Sequence, residues 1–126
     1  MSGVRMLDCP LNGQFGVLGR KWTLSILRDI GFRGIGRFKD LNKSIGQVTP
    51  RILSIRLRQL ERDGLIEKKQ SPIPGNAPVW QLTQKGADLI PLLLRWVAFR
   101  SKWDAALLFP DQRPHDLQEI LPKDDD

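Results

Sequence analysis

Apolar residues recur three and four positions apart in four stretches of the chain, a spacing that places them on one face of an α-helix. The predicted helices cover residues 11–18, 21–30, 37–42 and 49–63. Three glycines weaken the first helix, and Gly31 and Gly64 end the second and the fourth. Thr49 and Pro50 mark the clearest helix start, because a threonine can cap a helix whose first position is proline.

A β-hairpin and one long helix are predicted in the rest of the chain. Residues 65–70 and 79–82 are predicted strands, and the loop between them is rich in proline, glycine and asparagine. Thr83 is predicted to cap a final helix that extends to about Leu108 and is kinked at Pro91. This order predicts a mainly α fold with a small β-hairpin (α+β), a winged helix-turn-helix with an extra helix at each end.

The chain of 126 residues is long enough for one domain with an apolar core. We expect a flexible N-terminal arm at residues 1–8, a winged helix-turn-helix domain with terminal dimerisation helices at residues 9–109, and an acidic, disordered tail at residues 110–126. The densest apolar stretch is interrupted by Arg95, so no membrane span is expected. The start of the chain lacks the apolar run of a secretory leader, so the cytoplasm, at the nucleoid, is the expected location.

Charge is distributed unevenly along the chain. Residues 20–70 contain 13 Lys and Arg against 5 Asp and Glu, whereas residues 111–126 contain 2 against 6. A basic body with an acidic tail indicates a polyanionic partner for the body. A solvated charged surface would give the same composition, so charge alone leaves both alternatives open.

The predicted helix at residues 49–63 has two opposite faces. Leu53, Leu57 and Leu60 form a narrow apolar stripe that is expected to face the core. The residues expected to contact DNA from this helix are Thr49, Arg51, Ser54, Ile55, Arg58 and Arg62. Arginine can fork onto guanine, serine can donate or accept, isoleucine can touch a thymine methyl, and the helix start can hold a phosphate. Arginines that are only solvated, or are paired with Glu61 and Asp63, are the alternative.

The predicted hairpin carries Lys68 and Lys69 on its first strand and Asn76 near its tip. Since adjacent residues of a strand point to opposite faces, at most one of the two lysines faces a docked duplex. The loop contains no basic residue that could insert into a narrow minor groove. The hairpin is therefore predicted to contact the phosphate backbone rather than to read bases.

A set of short motifs follows in order through residues 9–103. They are Cys9-Pro10, Gly19-Arg20-Lys21-Trp22-Thr23, Ile26-Leu27, Arg37-Phe38, Leu41, Thr49-Pro50-Arg51-Ile52-Leu53-Ser54, Arg56-Leu57, Leu60-Glu61, Asp63-Gly64-Leu65-Ile66 and Leu82-Thr83-Gln84-Lys85-Gly86. With this set the chain resembles the HxlR-type regulators, a branch of the MarR-like winged-helix proteins. The glycine-rich first helix, the linker at residues 31–36 and the acidic tail depart from the family's pattern.

The resemblance implies a homodimeric transcription regulator, expected to be a repressor, that binds double-stranded DNA. It implies two recognition helices in successive major grooves of a pseudo-palindromic operator, with half-sites about 34–36 Å apart. The final predicted helix supports a dimer independently, because it is apolar on more than one side and its own domain can cover only one. The residues expected at the dimer interface are Leu11, Phe15, Leu92, Leu93, Trp96, Val97, Phe99 and Trp103.

Cys9 is the single cysteine of the chain. Some relatives use a cysteine at the Cys-Pro position to sense oxidants or electrophiles, and the start of a helix favours a thiolate. The alternative is a small apolar residue packed at the dimer interface. A small-molecule or oxidant effector is therefore one of two open alternatives.

No enzyme, cofactor or metal site is expected. Cys9 and His115 cannot by themselves build a zinc site, and the chain shows no catalytic triad and no phosphate-binding glycine loop. The remaining alternative is a protein–protein adaptor that keeps the winged fold without binding DNA. The outward arginines of the helix at residues 49–63 favour DNA over that alternative.

Overall fold

The computed structural model describes residues 3–7 and 16–120. Its elements are a 3₁₀ turn at Gly16–Gly19, then α1 Thr23–Gly31, α2 Phe38–Ile45, α3 Pro50–Arg62, β1 Ile66–Lys69, β2 Val79–Leu82, α4 Gln84–Trp103, α5 Ala105–Leu108 and α6 Leu117–Ile120. The predicted hairpin and the helices predicted at residues 21–30, 37–42 and 49–63 are confirmed, with bounds that differ by a few residues at most. Within the described ranges, no helix is both long enough and apolar enough to cross a membrane.

The first predicted helix is only partly within the described residues. Residues 11–15 lie outside them, and Gly16–Gly19 forms a 3₁₀ turn rather than α-helix. Glycine at both ends of this short segment disfavours a longer α-helix, because glycine loses the most backbone freedom on folding.

The apolar core lies between α1, α2, α3 and the first strand. Its buried side chains are Ile26, Leu27, Ile30, Leu41, Val48, Leu53, Leu57, Leu60, Leu65 and Ile66. Leu53, Leu57 and Leu60 are at most 1% exposed, as their spacing predicts. Burying a leucine side chain contributes about 1.5–3 kcal/mol, so this stripe holds the opposite face of α3 toward solvent.

The turn between α2 and α3 is fixed by a glycine and by two polar side chains. Gly46 adopts φ 78°, a left-handed conformation that favours glycine. Asn42 Nδ2 donates to the carbonyl of Val48 at 3.0 Å, across the turn. The Thr49 hydroxyl oxygen accepts from the amide of Ile52 at 3.2 Å, and Pro50 occupies the first turn of α3. The predicted cap of α3 is therefore present.

The two strands form an antiparallel hairpin in which Ile66 pairs with Leu82 and Lys69 with Val79. At its tip the amide of Asn76 donates to the carbonyl of Ile73 at 3.2 Å, and Gly75 has φ 88°. These are features of a type II turn, which needs a positive φ at its third position. A helix-turn-helix followed by this hairpin makes the fold a winged helix-turn-helix, as the sequence predicts.

The C-terminal part differs from the sequence expectation. The final helix ends at Trp103 rather than near Leu108, and Asp104 separates it from α5. Arg100 Nε donates to Asp104 Oδ2 at 2.5 Å, which places a charged pair at this break. The chain then continues to α6 instead of fraying after residue 109.

Residues 110–120, expected to begin a disordered tail, pack against α4. The buried Ser101 hydroxyl donates to the carbonyl of His115 at 2.6 Å and accepts from its amide at 2.8 Å. The His115 ring lies edge-on to Phe109, with centroids 4.6 Å apart. This contact is not predictable from the sequence, because a single serine and a single histidine give no periodic signal. Residues 121–126 lie outside the described residues.

Candidate nucleic-acid interface

The outward face of α3 carries three exposed arginines. Arg51, Arg58 and Arg62 are all exposed, opposite the buried leucine stripe. Ser54 lies at the edge of this face and Ile55 within it, and both are half-buried. The amphipathic pattern of the sequence therefore gives the correct orientation of the helix.

Local ion pairs do not occupy these arginines in the described part of the chain. Neither Glu61 nor Asp63 forms a salt bridge with Arg58 or Arg62 there; the ion pairs are within residues 28–33 and residues 100–119. The sequence analysis left such pairing open as an alternative. The charge of the arginine face is thus available to an anionic partner.

The start of α3 is also accessible. Thr49 is exposed, and its hydroxyl oxygen caps the amide of Ile52, which leaves the hydroxyl hydrogen free to donate. By helix geometry the amide of Arg51 has no acceptor within α3. Together with the positive end of the helix dipole, these groups can hold one phosphate.

The wing places its two lysines on opposite faces. Lys68 shares a face with the buried Ile66, and its Nζ lies 5.2 Å from the ring centroid of Trp80, the residue opposite it. Lys69 lies on the other face with Glu67, whose Oε1 accepts from Gln81 at 2.9 Å. Each lysine is exposed, and so is Asn76 beside the tip turn. The alternation expected from the sequence is present.

The C-terminal end of α3 is held by the start of α4. Lys85 Nζ donates to the carbonyl of Asp63 at 2.8 Å. The Thr83 hydroxyl donates to the carbonyl of Gly64 and accepts from the amide of Gly86 at 3.1 Å. A Cβ on Gly86 would lie 2.1 Å from the carbonyl oxygen of Leu65, so only glycine fits this crossing. These contacts connect the arginine helix to the long helix α4.

A fourth arginine of α3 has a role that the sequence analysis missed. Arg56 is half-buried, and its Nε donates to the main-chain carbonyl of Lys21 at 3.0 Å, ahead of α1. Its guanidinium also donates to Gln59 Oε1 at 3.1 Å. The signal available in the sequence was the position of Arg56, which is on the core side of the helix rather than on the outward face.

Four of the eight residues expected at a dimer interface are exposed on α4. Leu92 is 60%, Trp96 52%, Phe99 54% and Trp103 67% exposed, and the rings of Trp96 and Phe99 stack with centroids 5.9 Å apart. Leu93 packs against the domain's own core instead. Val97 is half-buried and lines a cavity of about 330 Å³ between α1, α4 and the C-terminal helices. Leu11, Phe15 and Cys9 lie outside the described residues.

Comparison with known proteins gives one consistent family. The sequence profile of the HxlR-like helix-turn-helix matches residues 17–108. An HTH-type transcriptional regulator of Halalkalibacterium halodurans is 34% identical over 86 residues, which are 68% of this chain and 76% of that protein.

Two solved structures resemble the fold. A possible HxlR family transcriptional factor from Thermoplasma volcanium has a TM-score of 0.64 at 28% identity, over 77% of this chain and 86% of that one. The reduced form of the transcriptional regulator YodB from Bacillus subtilis has a TM-score of 0.63 at 26% identity, over 71% of this chain and 86% of that one. YodB has also been solved in diamide-treated and quinone-bound forms. The chain belongs to the HxlR-like helix-turn-helix family of transcriptional regulators.

Proposed function

We propose that this protein is a sequence-specific, double-stranded DNA-binding transcription regulator that acts as a homodimeric repressor. The observation that carries the proposal is the face of α3 on which Arg51, Arg58 and Arg62 are exposed without local ion pairs among the described residues. The helix that bears them is held by the core on its other side, so the arginines are presented on a fixed support.

The residues of α3 divide by their position along the helix. Arg51, Ser54, Ile55 and Arg58 lie in its first nine residues and read base edges in the major groove. Arg62 is at the C-terminal end and contacts phosphate. The Thr49 hydroxyl and the free main-chain amide of Arg51 hold a second phosphate at the helix start.

The wing contributes phosphate contacts. Lys68, Lys69 and Asn76 are exposed, and residues 70–75 between them include no basic residue. Without an arginine at its tip the wing does not read a narrow minor groove. Its contribution is to affinity rather than to sequence preference.

The exposed apolar residues of α4 form the dimer interface in this proposal. Large apolar side chains that are more than half exposed on one helix are typical of a surface that a partner covers. A twofold arrangement places two α3 helices in successive major grooves, about 34–36 Å apart on the DNA. The protein then acts in the cytoplasm at the nucleoid.

A redox response through Cys9 is the finer part of the proposal. Its support is the likeness to YodB, a regulator solved in reduced, diamide-treated and quinone-bound forms. The other interpretation of Cys9 is a packing residue at the dimer interface. DNA binding by the wild type and by Cys9→Ser, with and without diamide, distinguishes the two.

Selection of bound fragments from a random double-stranded DNA pool tests the function. We expect enrichment of a pseudo-palindrome whose half-site centres are one helical turn, about 10 base pairs, apart. A pool that stays unenriched, while the protein is folded and dimeric, would overturn the proposal and favour an adaptor that binds other proteins.

A further inference from the structure

We propose that Arg56 is a positioning residue for DNA recognition, which fixes α3 against the chain segment that leads into α1. The inference rests on the proposed DNA-binding function and goes beyond it, because Arg56 does not face the DNA. Among the arginines of α3, it is the one whose guanidinium reaches a main-chain carbonyl of another element in the described structure.

The geometry of Arg56 separates it from the outward arginines. It lies three residues after Leu53 and four before Leu60, so its side chain leaves α3 on the flank of the buried stripe. Its guanidinium contacts two acceptors, the Lys21 carbonyl at 3.0 Å and Gln59 Oε1 at 3.1 Å. A planar, forked group that donates to both acceptors at once loses rotational freedom.

The acceptor in front of α1, the carbonyl of Lys21, receives no main-chain hydrogen bond from the turn or from the helix in the described part of the chain. The carbonyl of Arg20 accepts from the amide of Thr23 at 3.3 Å, and the carbonyl of Trp22 accepts from the amide of Ile26 at 2.9 Å. The carbonyl between them, that of Lys21, receives the Arg56 guanidinium. Arg56 therefore satisfies a main-chain group at the helix start that would otherwise need water.

The local backbone holds this acceptor in place. Trp22 has φ 77°, a left-handed conformation that a non-glycine residue adopts at a cost of about 1–2 kcal/mol. The Lys21 ammonium lies 4.8 Å from the centroid of the Trp22 ring, and that ring packs against the core. A strained turn anchored by a core tryptophan is a rigid point of attachment for α3.

Apart from the packing of Leu53, Leu57 and Leu60 in the core, the other contacts that fix α3 in the described structure are hydrogen bonds at its two ends. Thr49 and the contact between Asn42 and Val48 fix its start, and Lys85 donates to the carbonyl of Asp63 at its end. Arg56 adds a hydrogen bond to another segment from the middle of the helix, on the side away from the proposed DNA. Without this bond the helix stays in place but its orientation is less fixed, which shifts Arg51 and Arg58 relative to the base edges.

Binding measurements over a range of salt concentrations separate positioning from contact. The probes are the duplex enriched by selection and an unrelated duplex of equal length. We expect Arg56→Gln to bind the selected duplex about 10-fold more weakly, the equivalent of one net hydrogen bond, with unchanged affinity for the unrelated duplex. The slope of log K against log salt should stay as in the wild type, because no phosphate contact is lost.

The matched control is Arg62→Gln, which removes the same charge from the outward face of the same helix. It should reduce the slope of log K against log salt by about 0.9 and weaken binding to both duplexes by a similar factor. If Arg56→Gln flattens the salt slope in this way, Arg56 contacts a phosphate. If Arg56→Gln binds the selected duplex like the wild type, Arg56 has no role in recognition. Either result overturns the proposal.

A second readout does not depend on DNA. In the free protein, Arg56→Gln should raise amide hydrogen exchange over Pro50–Arg62 at least several-fold and leave Gln84–Trp103 unchanged, whereas Arg62→Gln should change neither. Unchanged exchange in α3 would overturn the positioning role even if DNA binding falls. A wild-type protein that binds no DNA but shows the exchange effect would overturn the proposed function and with it the role of Arg56 in recognition.

Discussion

The main-chain amide of Trp80, in β2, donates a hydrogen bond to the carbonyl of Gly36, in the link between α1 and α2, at 2.7 Å. The two backbones lie so close that a Cβ on Gly36 would be 2.3 Å from the Trp80 carbonyl oxygen and 2.4 Å from Val79 Cγ1. The wing thus directly contacts the segment that leads into the helix-turn-helix, and the close approach at Gly36 fixes the position of the hairpin relative to α2 and α3.

Gly36→Ala should therefore displace the wing. The added methyl collides with backbone as well as with a side chain, so we expect a loss of about 1–3 kcal/mol in the free energy of unfolding. DNA affinity should also fall at temperatures where the variant is fully folded, so that unfolding does not account for the weaker binding. Urea denaturation and DNA binding at one fixed salt concentration measure the two effects.

Gly19→Ala is the matched control for this substitution. A Cβ on Gly19 meets no atom within 4 Å in the described structure. Equal stability of Gly36→Ala and Gly19→Ala would show that the wing is not anchored at Gly36.

The apolar face of α4 should be required for dimerisation. Replacing Trp96 and Phe99 together by glutamate puts two charges where the rings now stack 5.9 Å apart. Charges in a desolvated interface are destabilising unless they are paired. We expect the double variant to sediment as a folded monomer and to bind the selected duplex far more weakly.

Ile73→Glu serves as the control for exposure alone. Ile73 is 54% exposed, like Phe99, but it is in the loop of the wing. If the Trp96 and Phe99 double variant stays dimeric, or if Ile73→Glu also dissociates, the α4 face is not the interface.

The attachment of residues 109–120 to α4 should depend on pH. His115 lies 2.7 Å from Glu119 Oε2 and 2.8 Å from Asp111 Oδ2. Hydrogen bonds to Glu119 and then to Asp111 raise the pKa of His115 above its ordinary 6.5. A raised pKa means that the protonated ring favours the attached state, so the stabilisation is complete below about pH 6.5 and is lost as pH rises through the raised pKa.

At low pH the attachment of residues 109–120 is limited by protonation of the carboxylates that accept from His115. The hydrogen bond from His115 lowers the pKa of Asp111 below 3.8, so its contribution is present above that pH and is lost as pH falls through the lowered pKa. Hydrogen-exchange protection of residues 109–120, corrected for intrinsic rates, should be higher at pH 6 than at pH 8. Protection in His115→Gln should be the same at both, and a wild type without the difference would contradict this account.

Cys9→Ser should separate DNA binding from its redox control. We expect the variant to bind the selected duplex like the wild type but to keep binding after treatment with diamide, which should weaken the wild type. Electrophoretic mobility shifts with and without diamide measure this. Wild-type binding that is indifferent to diamide would exclude sensing and leave Cys9 as a packing residue.

The sequence predicts the fold well where residue spacing repeats. The leucine stripe and the threonine-proline cap give α3 and the face it turns outward, because burial and capping depend on local sequence. The wing follows from turn residues such as Pro74 and Gly75.

The features that the sequence does not predict depend on contacts between distant residues. The Arg56 bond to the Lys21 carbonyl, the close approach at Gly36 and the contact between Ser101 and His115 each join residues that are 14 or more positions apart. No periodicity marks such pairs, because a single hydrogen bond between distant segments can be made by many residue types. The DNA contacts of the arginines are likewise predicted from orientation alone and stay a proposal.

The most direct test of the central claim is the salt dependence of DNA binding by a triple variant in which Arg51, Arg58 and Arg62 are replaced by alanine. A second variant, with Arg95, Lys102 and Arg113 replaced by alanine, removes the same formal charge from other exposed positions. Sedimentation first establishes that both are dimers like the wild type. We predict that the wild type and the second variant bind the selected duplex with a steep loss of affinity from 50 to 200 mM salt, by about 10³-fold or more, while the triple α3 variant does not bind it specifically at any of these concentrations. Specific binding by the triple α3 variant at wild-type strength would contradict the assignment of α3 as the helix that reads DNA.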